Sequence, residues 1–322
     1  MKKKAPLIVI VGPTASGKSR LAIELAGILS GEIVSADSMQ VYKKMNIGTG
    51  KVLPAERYDR LGNFIPHHLI DVINPDEDFS VSIYQELAKK NIKEIYERQK
   101  IPFLVGGTGL YINSVIYAGR YNVPPADLIL REEIKQKTAA LNNEEIYRLL
   151  LDIDPIAARK IHPHNRRRII RALEVYELTG KPLSSWWKED ASSSYELFYI
   201  GLMCERQKLY ARINNRVEEM FAKGFVEEVK NLLNEGYDPA LPAFQALGYK
   251  EIVDYLQGKS DLTTTKAIIK KKTRRYAKRQ LTWFLHDQNI TWYEINDYNP
   301  IELAFDLARI FEKQIINFKQ QF

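Results

Sequence analysis

The chain has 322 residues, 45% of them hydrophobic and 27% charged, with ordinary numbers of glycine and proline. That composition excludes disordered, collagen-like and disulfide-scaffold classes and predicts a large core with an inserted or appended subdomain. A net charge of +7 favours a polyanionic partner where the basic residues cluster, while a single cysteine, Cys204, and the lack of any ~20-residue apolar run exclude a disulfide framework, a cysteine-based metal site and a membrane span, as fits a reducing cytosol.

The opening "MKKKAPLIVIVG" imitates a signal peptide, but its apolar run ends in a glycine loop rather than a cleavage site, so residues 7–11 are read as a buried first strand. The loop "GPTASGKS" comprises Gly12, Pro13, Thr14, Ala15, Ser16, Gly17, Lys18 and Ser19 and matches the P-loop pattern completely. Its glycines let backbone N–H groups close around phosphate oxygens at a helix N-terminus, Lys18 reaches a terminal phosphate, and the Ser19 hydroxyl can ligate Mg²⁺. Such a loop specifies a diphosphate with a metal, not a nucleoside. Leu21, Ile23, Leu25, Ala26 and Leu29 give the following helix its apolar face.

Further apolar runs at 32–38, 67–73 and 101–109 alternate with helical stretches such as 81–99, the rhythm of a parallel α/β sheet. Asp37, in "VSADSMQVY", follows the second strand at the carboxyl edge where ligands bind, and reads equally as a catalytic base or as a turn cap beside Ser35 and Ser38. Thr108, in "VGGTGLY", sits in a glycine turn that suits either close approach to a ligand or a helix cap. GTP is disfavoured, because no N-K-x-D motif exists and "DRLG" at 59–62 lacks a preceding strand; Asp71, in "HHLIDV", keeps a nucleotide or metabolite kinase open.

From about 118 to 189 strand signals vanish, and helix starts are read at Asn143, at Asp154 with Pro155, and at Asn165 before a helix ending at Gly180. The expected division is a core segment over 1–118, a helical insertion over 119–189, and a return to the core over 190–322. The return begins with a strand at 195–204 and a long helix from Gln207 to Leu233, and the remainder after 245–251 is expected to be mainly helical. Arg166, Arg167, Arg168 and Arg171 oppose the dipole of their helix, which points to an external anion. A second basic run, Lys266 to Arg279 with Tyr276, Trp283 and Phe284 interleaved or adjoining, adds like charges at helical spacing; together the two favour a nucleic-acid partner.

Taken in order, "GPTASGKS", "SADSMQVY", "IGTGK", "HHLID", "VGGTGLY", "RRRIIRALEVYELTGKP", "QALGYKE" and "YAKRQLTWF" resemble the landmarks of the bacterial tRNA dimethylallyltransferases, or tRNA isopentenyltransferases, across nearly the whole chain. The resemblance implies a P-loop NTPase-like parallel sheet flanked by helices, with an inserted all-helical domain. It also implies transfer of the dimethylallyl group from dimethylallyl diphosphate to N6 of the adenosine immediately 3′ of the anticodon. By that resemblance Asp37 is the general base; Lys18, the loop amides and Mg²⁺ at Ser19 take up leaving-group charge; and Thr14 contacts the substrate. Ser38, Met39 and Gln40, Thr108, and Asn165, Arg166, Arg167, Arg168 and Ile169 are implied tRNA contacts. Arg216 is carried as a catalytic or phosphate contact, with Arg212 one turn away as the competing choice. The expected partner is the tRNA anticodon stem-loop, and the expected protein is cytoplasmic and monomeric. A kinase would leave the basic clusters without purpose, a prenyltransferase of free adenine nucleotides would need less basic surface, and a nonenzymatic RNA-binding module has no use for Lys18 and Ser19.

Overall fold

The computed structural model describes residues 4–117, 123–187, 192–295 and 299–319. The chain folds into two units: one formed by Met1–Phe79, Tyr84–Asn113 and Tyr195–Phe322, the other by Ser80–Ile83 and Ser114–Ser194. The segment edges expected at 118/119 and 189/190 lie outside the described residues.

In the first unit, six strands form one sheet in the order β3-β2-β4-β1-β5-β6: β1 Ala5–Val11, β2 Gly31–Ser35, β3 His67–His68, β4 Ile101–Gly106, β5 Tyr195–Met203 and β6 Thr291–Glu294. Every pairing is parallel. β1 lies between β4 and β5, and both of its faces are covered, which is why Leu7 to Val11 read as an unbroken apolar run and are all buried. Helix α1 (Lys18–Leu29) packs Leu21, Leu25 and Leu29 on the sheet beside Phe103 and Ile200. Helices α2 (Val81–Glu97) and α3 (Gly109–Ile116) flank β4 in sequence.

The second unit holds α4 (Leu128–Lys137), α5 (Asn143–Ile153), α6 (Pro155–Lys160) and α7 (Arg166–Thr179), packed around Ile146, Leu150, Ile169, Ile170 and Leu173. Asp154 caps α6 and Gly180 ends α7 in the left-handed region at φ 66°. The cap of α5 is Asn142 rather than the expected Asn143: its Oδ1 accepts from the amides of Glu144 and Glu145, and the Glu145 carboxylate returns to the Asn142 amide. Buried Glu174 receives both Arg131 (2.7 Å) and Arg171 (2.6 Å).

After β5 the first unit continues through α8 (Arg206–Ala222), α9 (Phe225–Asn234), α10 (Tyr249–Leu256), α11 (Leu262–Phe284) and α12 (Pro300–Lys319). Two expectations change in this unit, and a third holds with one added strand. The single helix from 207 to 233 is two, because Gly224 takes φ 93° and breaks the run. The strand over 67–73 shrinks to His67–His68, since Leu69 and Asp71 adopt positive φ and the amides of Asp71 and Val72 turn to Gln40 and Val41 carbonyls. The mainly helical remainder contains β6, a strand of β-branched and aromatic residues that pairs with β5. Among the described residues, no helix is long and apolar enough to cross a membrane.

β2 and β4 meet most closely at their carboxyl ends, where a Cβ on Gly106 would lie 2.1 Å from the Ala36 carbonyl oxygen and 2.8 Å from its Cα. Neither backbone can yield without opening the sheet. Gly106→Ala is therefore expected to lower unfolding free energy by roughly 1–3 kcal/mol, and an unchanged denaturation midpoint would contradict this packing.

Candidate functional site

The loops that leave the carboxyl ends of β1, β2 and β4 open onto one cavity of about 450 Å³, lined by the P-loop from Thr14 to Ser19, by Asp37 to Gln40, and by Gly106 and Gly107. Helices α8 and α11 close it with Arg216, Tyr276, Arg279 and Gln280. Parallel strands make this convergence unavoidable, because every β-to-α turn exits on the same edge.

The P-loop is shaped by Gly12 at φ 145°, where a Cβ would stand 2.5 Å from the Leu202 carbonyl oxygen, and by Gly17 at φ 81°. Lys18 Nζ folds back to donate to the Pro13 carbonyl at 2.7 Å. Loss of surrounding water pulls its pKa down to about 7, against the attraction of Asp37 and with the repulsion of Arg216. The Ser16 hydroxyl is buried and has no hydrogen-bond partner among the described residues. Ser19 stands at the mouth of the loop, beside the cavity.

Asp37 fixes its own turn and also lines the cavity. Its Oδ1 accepts from the Met39 amide at 2.9 Å, which fixes the turn, and the same carboxylate lies within the field of Lys18 and Arg216. Burial dominates and raises its pKa above the ordinary carboxylate value, with the Met39 amide, Lys18 and Arg216 opposing. Thr108 does not spend its hydroxyl on capping α3; its Oγ1 accepts from the Ser38 amide at 3.0 Å, joining the second glycine loop to the Asp37 segment. Gln40 reaches Ser35 Oγ and the Gly50 carbonyl, and Met39 packs on the apolar cluster that includes Phe225 and Tyr249.

Between the two competing arginines of α8, Arg216 enters the cavity and Arg212 points to the Ile295 carbonyl. Arg216 Nη2 donates to the Gly50 carbonyl at 3.4 Å, and burial lowers its pKa from the ordinary arginine value while Asp37 raises it. The loop that carries Gly50 hangs on Glu228 of α9, whose carboxylate accepts from the amides of Asn46 (2.8 Å), Ile47 (2.7 Å) and Gly48 (3.2 Å) and from the Tyr249 hydroxyl (2.7 Å). The stretches "IGTGK" and "YAKRQLTWF" stand out in the sequence, yet sequence reasoning did not assign Thr49, Gly50, Tyr276, Arg279 or Gln280 to the site, although all five line it. A second Gly-x-Gly turn and a polar Gln among basic residues were the available signals.

In the second unit, Arg166 is not free for an external anion: its guanidinium holds the carbonyls of Thr138 and Leu141 at the end of α4. Arg171 is likewise spent on Glu174 and the Pro124 carbonyl. Ile169 is buried in that unit's core, and the Asn165 side chain caps α7 through the Arg168 amide. Arg167 and Arg168 keep exposed surface. On α11, acids relieve part of the expected repulsion: Glu218 takes Lys266 and Lys270, and Glu251 takes Lys272.

Among the described residues, no group of three His, Cys, Asp or Glu side chains forms a metal cage. The donor set still suits Mg²⁺, which is commonly held by one or two protein oxygens and the phosphates of a substrate, with waters completing its shell. Asp71, the acid that a kinase would need, is instead engaged by Lys51 at 2.6 Å and does not line the cavity.

The IPP transferase family model matches residues 40–287. A tRNA dimethylallyltransferase of Alkaliphilus oremlandii is 48% identical over 303 residues, 94% of this chain and 95% of its own. One of Carboxydothermus hydrogenoformans is 51% identical over 290 residues, 89% and 91% of the two chains. Among solved structures, the full-length tRNA isopentenylpyrophosphate transferase of Bacillus halodurans has a TM-score of 0.71 and 42% identity, with 99% of each chain covered. A eukaryotic dimethylallyltransferase acting on tRNA has a TM-score of 0.76 and 30% identity, covering 91% of this chain and 74% of its own.

Removing the Glu228 carboxylate leaves three loop amides and a tyrosine hydroxyl without their acceptor. Glu228→Ala should cost about 2–3 kcal/mol in urea denaturation, the range for hydrogen bonds to a charged group, and Glu228→Gln should cost less because one oxygen can still accept. Equal stability of all three proteins would remove Glu228 as the anchor of this loop.

Proposed function

The chain belongs to the IPP transferase family, and on that premise we propose how its residues carry out prenyl transfer to tRNA. The donor is dimethylallyl diphosphate, and the acceptor is N6 of the adenosine immediately 3′ of the anticodon. The observation that supports this reading is that Lys18, Asp37 and Arg216 act on one another across a single cavity bounded by a complete P-loop.

Adenine N6 is a weak nucleophile because its lone pair is delocalised into the ring. The site therefore has to align N6 with the allylic C1, accept a proton, and stabilise the departing diphosphate. The N6–C1 bond forms, the C1–O bond breaks, and the N6 proton passes to the Asp37 carboxylate. Lys18, released from the Pro13 carbonyl, meets the diphosphate together with the P-loop amides and Arg216, and the Ser16 hydroxyl gains a partner. Thr14 lies at the start of the loop against the same substrate. The Ser19 hydroxyl and the diphosphate oxygens would hold Mg²⁺, which when bound neutralises charge on the leaving group.

An adenosine stacked in an anticodon loop must be turned out to reach Asp37, at a cost of a few kcal/mol. Ser38, Met39 and Gln40 flank the base, and Thr108 fixes that segment through the Ser38 amide. Arg167 and Arg168 contact the RNA backbone, whereas Arg166, Asn165 and Ile169 shape the helix that presents them. The protein acts as a monomer in the cytoplasm, where its tRNA substrate resides.

The shifted ionisations set the pH dependence. The base form of Asp37 in the free enzyme accumulates only above its raised pKa, so kcat/KM rises with pH through that value. Lys18 of the free enzyme loses its proton as pH rises through about 7, so kcat/KM for dimethylallyl diphosphate should fall there. The bound diphosphate holds that proton, and kcat should not fall with it. Asp37→Asn should remove the rising limb and lower kcat by about 10²–10⁴-fold with little change in stem-loop affinity; a variant within threefold of the parent would eliminate Asp37 as the base.

A further inference from the structure

Gln280 lies on α11, far along the chain from both glycine loops, and yet it is buried between them. Its side-chain oxygen accepts from the Thr14 amide at 2.8 Å, and its side-chain nitrogen donates to the Gly107 carbonyl at 3.0 Å. One amide thus satisfies a donor in the P-loop and an acceptor in the loop after β4. Among side chains of this length, glutamine supplies both functions without a charge at any pH, whereas glutamate does so only when protonated.

The surroundings leave Gln280 little freedom. A Cβ on Gly107 would come within 2.0 Å of its Nε2, and one on Gly109 within 2.2 Å of the Trp283 ring, so α11 packs directly on the glycine backbone. Tyr276, one turn earlier on the same helix face, lines the same cavity as Gln280. Thr108 receives the Ser38 amide, next to Asp37. Gln280 therefore bonds the loop assigned to the diphosphate to the glycine loop, and Thr108 of that glycine loop bonds the segment assigned to the base.

We propose that Gln280 is a positioning residue that sets the distance between the bound diphosphate and the acceptor base, acting through Thr14 and Gly107 rather than touching either substrate. The inference rests on the prenyl-transfer reading of the site. In-line attack depends on alignment, so a loop displaced by a fraction of an ångström slows the chemical step while each substrate still binds.

The test uses the full chain with dimethylallyl diphosphate, Mg²⁺ and an anticodon stem-loop RNA. Gln280→Met keeps the side chain's length and removes both hydrogen bonds. It should lower kcat by about 30-fold or more, well within what a small misplacement can cost, leave KM for the stem-loop within about threefold, and speed hydrogen exchange at the Thr14 amide. Gln280→Glu keeps the acceptor for Thr14 and donates to Gly107 only when protonated, so its kcat relative to the parent should increase as pH falls, whereas a merely space-filling residue gives no such trend. If Gln280→Met does not fold, the Gln280→Glu pH trend decides. A parent-like kcat in either folded variant, or a pH-independent ratio for Gln280→Glu, overturns the proposal. Failure of the parent protein to modify any stem-loop would instead overturn the reading on which it rests.

Discussion

The structure turns on three half-buried ionisable side chains, Lys18, Asp37 and Arg216, that line one cavity. Lys18 is drawn down to about 7 and Asp37 is pushed up, and burial is the largest cause in both cases. Opposite shifts from one cause mean that the cavity penalises charge of either sign until a partner arrives. Arg216 adds a second cation, so a lysine, an arginine and one carboxylate together ask for an anion. Under the proposed reaction a diphosphate meets that demand and departs where the positive charge already stands.

Much of the remaining architecture serves to hold those groups. Gly106 lets β2 and β4 close at their carboxyl ends, which brings the Asp37 turn against the second glycine loop. Glu228 gathers the amides of Asn46, Ile47 and Gly48 and so presents Gly50, to which Arg216 is bonded. Gln280 joins the two glycine loops. Each of these supports is bonded to or packed against a segment that lines the cavity.

What could be read in the sequence follows from how local each constraint is. The P-loop and the Asp37 segment were legible because adjacent backbone groups build them and each follows a short strand, the first a continuous apolar run. Arg216 and Arg212 could not be separated by spacing, since both fall on one helix and only the packing of α8 decides which enters the cavity. Glu228 and Gln280 act on loops far away along the chain, through side-chain bonds that no periodicity announces. At Arg166 and Ile169 a cluster of cations drew attention to an exposed face, while the apolar spacing of Ile169, Ile170 and Leu173 marks that helix's buried side. β6 went unread because so short a strand gives too little alternation to stand out from the helices around it.

The central claim, that the P-loop holds the leaving group of an alkyl transfer to RNA, is tested most directly by weighing the acceptor. The purified protein, Mg²⁺, dimethylallyl diphosphate and an unmodified anticodon stem-loop RNA are combined without ATP, and the RNA is analysed by mass spectrometry. A gain of one five-carbon unit on the adenosine 3′ of the anticodon, absent when the diphosphate is omitted, is the predicted result. No gain on any of several stem-loops, with ATP consumed in a parallel reaction, would contradict the account and return the loop to a nucleotide.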